Sequence, residues 1–195
     1  VKEEDIPIKE TQNFNPSNPY AVGKVGEDML ALMYYTNYGL KTIRTRMFTH
    51  TSGRRKMMSA ECNFARQIVR IEKNLQEPII KHGNLDSLRT WAHAQDAVKA
   101  YYIMTHYAKP YSFGKVYNIG GIDSRTIGEM LDYMISLSTK KDVIKKELDS
   151  SLLRKYDVNL QVPSIEEFKK DYPTWEATWK FEDIIKDVLE GWRIR

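Results

Sequence analysis

The feature that most restricts this chain is a helix bracketed by its own stop signals. Pro16-Ser17-Asn18-Pro19 opens it, Gly39 closes it, and Val22, Val25, Met29, Leu32 and Met33 recur between them at helical spacing. Proline suits the first helical turn, where its missing N–H has no partner to lose, and glycine is the common residue just past a helix end. The pattern predicts a helix from Pro19 to about Asn37, and Leu40 to Phe48 then reads as a strand.

The same alternation continues downstream. Residues 60–74 form an amphipathic helix with Phe64, Ile68 and Ile71 on one face. Ile79-Ile80 and Thr90-Trp91 read as short strands, and Gln95 to Tyr107 as a helix turning Ala97, Tyr101 and Met104 inward. Val116 to Ile119 is a strand closed by Gly120-Gly121. Thr126 with Glu129 is a capping-box signature for a helix through Leu137, and Ser164 with Glu167 repeats it. The last helix gathers Ile184, Ile185, Val188, Leu189 and Trp192 on one side. Residues 1–16 are polar, carry Pro7 and Pro16, and read as a loop. Helices alternating with short strands imply an α/β fold, the end of a sheet joined to a smaller, mostly helical subdomain.

At 195 residues the chain is long enough for a real core. No apolar run reaches the ~18 residues of a membrane span, and no basic tip with an apolar secretory core opens the chain. The single cysteine, Cys62, cannot make an internal disulfide. It reads as a small buried residue in a cytoplasmic protein. The net charge of +4 is mild and its basic residues are scattered, which argues against nucleic acid and for a small anionic ligand such as a phosphate ester. His82, His93 and His106 share no metal-ligand spacing, so no metal is expected, and His93 reads as structural.

The chemistry begins at Tyr20-Ala21-Val22-Gly23-Lys24. Residues i and i+4 of a helix share a face, so the phenol and the ammonium can open on one cleft. A free tyrosine has a pKa of about 10, and a neighbouring positive charge favours its anion. The lysine can also hydrogen-bond a ribose hydroxyl.

Pro16-Ser17-Asn18-Pro19-Tyr20-Ala21-Val22-Gly23-Lys24 resembles the P-x-S-P-Y-x-x-x-K segment of extended short-chain dehydrogenase/reductases. Arg46-Met47-Phe48-Thr49-His50-Thr51-Ser52-Gly53-Arg54-Arg55 is similar to the R-x-F-N-H-x-S-P-R-R loop of GDP-mannose 4,6-dehydratases. The run from Gly83-Asn84-Leu85-Asp86 through Arg89-Thr90-Trp91-Ala92-His93-Ala94-Gln95-Asp96 resembles their G-N-L-D-x-x-R-D-W-x-H-A-x-D, and Leu153 to Val158 their R-P-x-E/D-V. The order agrees, and the likeness covers nearly the whole chain.

The resemblance implies a Rossmann-like NAD(P)-binding fold seen from its later part, residues 1–75, followed over 76–195 by the remaining sheet and a substrate-binding subdomain. It implies Tyr20 as the general base toward the sugar 4-hydroxyl, and Lys24 as the partner of the nicotinamide ribose. His50 and Arg55 become contacts to NADP, with NAD possible. Asn84 would hold the nucleotide, Arg89 and Arg154 the GDP-sugar diphosphate, and Asp157 its ribose, while Thr49 lies at a sugar-contacting position. Thr49, Gly53 and Thr90 depart from the family's asparagine, proline and aspartate.

The family starts with a glycine-rich turn that receives the cofactor diphosphate. Gly23 and Gly26 lie inside the helix and Gly120-Gly121 follows a late strand, so the chain is expected to be partial. The expected reaction is conversion of GDP-mannose to GDP-4-keto-6-deoxymannose, by a homodimer or homotetramer in full-length form. Two alternatives stand. Asn63 to Ile68 and Glu190 to Arg193 look closer to GDP-4-keto-6-deoxymannose reductases, and a partial chain could be an inactive GDP-sugar-binding module.

Overall fold

The computed structural model describes residues 2–56, 59–153 and 157–195. Helix α1 spans Pro19–Tyr38, one residue beyond the expected end. The Asn18 side chain accepts from the Ala21 amide at 2.9 Å and caps its start. Gly39 ends it at φ 68°, in the left-handed region that glycine enters without strain.

Strand β1 is only Arg44–Met47, shorter than the run from Leu40 to Phe48. The reason is local. The Leu40 amide donates to Tyr34 and the Thr42 amide to Leu40, so the first residues of that run fold back on the helix end. The inward face expected on α1 is also absent, since none of its residues is buried and Val22 and Met29 are exposed. A helix of this length extends about 30 Å, whereas the strand packed beneath it covers roughly 13 Å.

β1 pairs in parallel with β5 (Val116–Ile119), with Arg44 opposite Val116 and Met47 opposite Ile119. A second sheet is built on β4 (Leu88–His93). Parallel to it run β2 (His50–Thr51) and β8 (Leu160–Gln161), and antiparallel runs β6 (Asp123–Thr126). A parallel pair, β3 (Ile79–His82) and β7 (Lys145–Leu148), completes the strands. The connection leaving β5 crosses β4 at Gly121, where any Cβ would collide with the Trp91 carbonyl.

Two apolar clusters hold these pieces together. The first joins α2 (Ala60–Glu72), α4 (Ile127–Ser136) and α6 (Phe181–Arg193) through Cys62, Phe64, Ile68, Met130, Met134, Ile184 and Val188. The second sets Tyr117, Phe168, Tyr172 and Trp175 against α3 (Ala94–His106), with α5 (Glu166–Asp171) supplying Phe168. Residues from both sides of position 75 meet in the first cluster.

Two expectations change here. On α3 the inward residues are Ala97, Ala100, Ile103 and Met104, whereas Tyr101 is exposed, its hydroxyl 3.3 Å from that of Thr45. The capping box forms at Thr126–Glu129 but not at Ser164–Glu167. The Ser164 amide already donates to Ile8, so it is unavailable to Glu167, and α5 starts after Ile165 instead.

Glu72 ties the ends of three helices. It accepts from Arg193 at 2.6 Å and from the Ser138 hydroxyl at 2.9 Å. Burial works to raise its pKa, but the bonds from Arg193, Ser138 and Thr139 outweigh it and hold the carboxyl below its ordinary value. A depressed folded pKa stabilises the fold above the unfolded value and is lost as pH falls through the folded one. Glu72→Gln should therefore destabilise the chain by about 2 kcal/mol near neutrality. In thermal melts the gap to the parent should close as the pH drops below the ordinary carboxylate range. A gap constant down to strong acid would contradict this.

Candidate active site

Tyr20 and Lys24 lie one turn apart at the start of α1, and the Lys24 Nζ sits 5.7 Å from the centre of the Tyr20 ring. The two side chains share a face. Tyr20 is 75% exposed, so its phenol is open to a ligand. The Lys24 ammonium pairs with Glu27 at 2.8 Å. The hydrogen bond and charge of Glu27 raise the lysine pKa, which keeps the ammonium protonated.

Both side chains line a cleft of about 820 Å³ whose other walls include Thr49, His50 and Arg55. Five residues singled out from sequence therefore face one space. The geometry around them follows from backbone pairing. The Phe48 amide donates to Ile119 and the Ala92 amide to Thr49, so the segment between β1 and β2 is stitched to both sheets. The His50 Nδ1 lies 3.0 Å from the Phe48 carbonyl, which fits a proton on Nδ1 and leaves Nε2 as an acceptor. Arg55 folds back to donate to the His50 carbonyl, and its Nε stands 3.8 Å from the buried carboxylate of Glu61.

The floor of the cleft is organised by a residue that motif reading missed. Asp28 accepts from Arg44 Nη1 at 2.7 Å and from Arg46 Nε at 2.8 Å, with only 9% of its side chain exposed. It falls two turns after Tyr20 on the same face, a spacing the sequence displays. Tyr101 and Gln161 also line the cleft; the residue pattern marked Tyr101 only as an inward helix residue and carried no signal for Gln161, which sits in a two-residue strand.

A second polar group assembles at the start of β4. The Asn84 amide donates to Asp157 at 3.2 Å and to the Ser87 hydroxyl at 3.1 Å. Arg89 donates to the Leu88 carbonyl at 2.9 Å and holds its Nη2 4.0 Å from Asp157. Asn84, Arg89 and Asp157, scattered in sequence, thus meet, and Arg154 lies outside the described residues. Arg89 is the register partner of Gln161, which lines the first cleft, so β8 links the two groups. Among the described residues no cluster of His, Cys, Asp and Glu could hold a metal ion, and no helix is long and apolar enough to cross a membrane.

A family model described as GDP-mannose 4,6 dehydratase matches residues 2–188. The chain belongs to that family. It is 31% identical over 149 residues to the GDP-mannose 4,6-dehydratase of Vibrio cholerae, covering 73% of this chain and 40% of that protein. It is 25% identical over 195 residues to the GDP-6-deoxy-D-mannose reductase of Pseudomonas aeruginosa, covering 100% of this chain and 62% of that one. The chain thus spans less than two thirds of either curated relative. Among solved structures, RMD from Pseudomonas aeruginosa complexed with NADPH matches with a TM-score of 0.86 at 24% identity over 100% of this chain and 62% of that one. The dTDP-glucose 4,6-dehydratase of Bacillus anthracis in complex with NAD matches with a TM-score of 0.72 at 22% identity, over 95% and 57%. These likenesses establish the α/β fold expected from the helix–strand alternation, in the Rossmann-like form that the family resemblance implied.

In this member of the family the Asp28 carboxylate neutralises two guanidinium groups at the cleft floor. Asp28→Asn would leave Arg44 and Arg46 facing each other with little solvent, at a cost of about 3 kcal/mol. Denaturant melts should register that loss, and an unchanged midpoint would show that the pair bears no weight.

Proposed function

We propose that this chain supplies the acid–base and sugar-nucleotide side of an NAD(P)-dependent GDP-sugar enzyme, with dehydration of GDP-mannose to GDP-4-keto-6-deoxymannose as the first reading. The observation that carries it is the convergence of Tyr20, Lys24, Thr49, His50 and Arg55 on one cleft. Two relatives of the same fold are described with NADPH or NAD bound, which supports a pyridine nucleotide here.

The residues present fit one end of such a cofactor. An ammonium, a phenol, an imidazole and a guanidinium suit a ribose and an anionic group. The diphosphate is a different matter. Gly23 and Gly26 lie within α1, and the space a Cβ would need at Gly121 is filled by the Trp91 backbone. Neither pair is a phosphate cradle among the described residues.

A bound nicotinamide supplies a hydride acceptor and donor. The chain's own groups handle the proton and the substrate. Tyr20, held as the phenolate by the protonated Lys24, takes the proton of the sugar 4-hydroxyl and becomes the neutral phenol, while Lys24 also anchors a ribose hydroxyl. Thr49 faces the sugar, and His50 and Arg55 hold the cofactor. Arg89, with Arg154, neutralises the substrate diphosphate, Asn84 holds the nucleotide, and Asp157 accepts from its ribose. The exposed apolar positions of α1 fit a homodimer or homotetramer of the full-length form, in the cytoplasm.

A second reading, reduction of GDP-4-keto-6-deoxymannose, is favoured by the match over the whole chain to the Pseudomonas reductase. Two assays separate the readings. GDP-mannose with NADP yielding keto product without net cofactor change supports dehydration, whereas NADPH oxidation by the keto sugar supports reduction. In the isolated chain turnover should be slight. Calorimetry should still detect GDP-mannose, and Arg89→Ala should weaken its binding about tenfold, or 1.4 kcal/mol. Absence of any GDP-mannose binding would remove the proposal. In a full-length form Tyr20→Phe should cut the rate by about 10²-fold or more, and an unchanged rate would exclude Tyr20.

A further inference from the structure

Helix α6 lies outside the cleft, yet its residues grip the loop that forms one wall of it. Asp187 accepts from the Gly53 amide at 2.6 Å. One turn later is Gly191, where a Cβ would run into the Gly53 carbonyl. Four residues further on, just past the helix end, Arg195 donates to the Gly53 carbonyl at 2.8 Å and to the Arg55 carbonyl at 3.2 Å. Residues 187, 191 and 195 follow the four-residue spacing of one helix face. All three meet the segment between His50 and Arg55.

The contact has its own support. His93, 4% exposed, sets its Nε2 3.1 Å from Asp187, and its Nδ1 accepts from the Gln95 amide at 3.2 Å. With Nδ1 accepting, the proton resides on Nε2 and is donated to Asp187. Trp179 stacks on the imidazole with centroids 3.7 Å apart. Both ring nitrogens are engaged and one face is covered, so the imidazole is held in a fixed orientation against Asp187. It fixes the carboxylate that holds Gly53. Gly53 is the position where the family resemblance has proline, and only a residue with an N–H can make this bond.

We propose that Asp187, Gly191 and Arg195 form a positioning row through which the last helix sets the placement of His50 and Arg55. Asp187 is a positioning residue, touching neither cofactor nor substrate. Its effect on ligands rests on the reading of His50 and Arg55 as cofactor contacts, while its effect on the loop does not.

The test uses the ¹⁵N-labelled 195-residue chain, comparing parent, Asp187→Ala, Asp187→Asn and Arg195→Gln by amide NMR, each with and without NADPH. Asp187→Ala should shift the amides of Gly53, His50 and Arg55 and leave those of Ile119 and Phe168 in place. Asp187→Asn, which keeps an acceptor oxygen, should restore part of the change. Should Asp187→Ala not fold, Arg195→Gln carries the test, because it removes two bonds at the chain end without opening the core. NADPH affinity should fall about tenfold where the loop amides move. Movement confined to Gly53, with His50 and Arg55 unperturbed in every folded variant, would overturn the positioning row. If NADPH leaves the parent's His50 and Arg55 amides unchanged, the cofactor reading fails and the loop shifts alone decide the row.

Discussion

The backbone pairing of β4 sets where the chemistry of this protein can lie. Its first residues pair with β8 and with the end of β6, and its last two pair with β2. Arg89 and Ala92 are therefore held three residues apart, roughly 10 Å along a strand, with Asn84 and Asp157 beside the first and His50 opposite the second. A register slip of one residue would turn Arg89 to the other face and separate the polar group from the cleft. The Gly121 crossing enforces that register by placing backbone directly on the Trp91 carbonyl.

Packing and chemistry are distributed unequally around this strand. The helices α2, α4 and α6 enclose a dense apolar cluster to which α1 contributes no residue. On the cleft side, order comes from charge and backbone pairing: Asp28 between two arginines, Glu27 on Lys24, and Arg55 folded over His50. The Asp28 pairs are largely out of water and bear on stability, whereas the exposed Lys24–Glu27 pair positions its side chains more than it stabilises the fold. The helix cluster reaches the loop between His50 and Arg55 through the Asp187–Gly53 contact, and Asp96 ties α3 to the segment before α6 by accepting from the Thr178 hydroxyl at 2.8 Å and the Trp179 amide at 3.1 Å.

Much of this arrangement was legible in the residues. The bracketed helix, the strand at Val116–Ile119 and the apolar face of α6 follow from period and punctuation alone, because each is decided by local sequence. The tyrosine–lysine pair was visible for the same reason, since helical spacing fixes which side chains share a face. What escaped was non-local. Nothing near Leu40 announces that its amide returns to Tyr34, and nothing near Ser164 announces that its amide is taken by Ile8. The exposure of α1 was equally hidden, because periodicity reports an apolar stripe and not what lies against it. Gln161 and Asp187 belong to the site region only through strand register and helix crossing, which no single segment encodes.

The account depends on the first turn of α1 and the loop after β2 facing one bound nicotinamide ribose. A crystal structure of the chain grown with NADPH and GDP-mannose measures this directly. The account predicts the ribose within hydrogen-bond reach of Lys24, the ring beside the Tyr20 phenol, and the GDP moiety against Arg89 and Asn84. Density for the pyridine nucleotide elsewhere, with Tyr20 and Lys24 still turned to solvent, would contradict it.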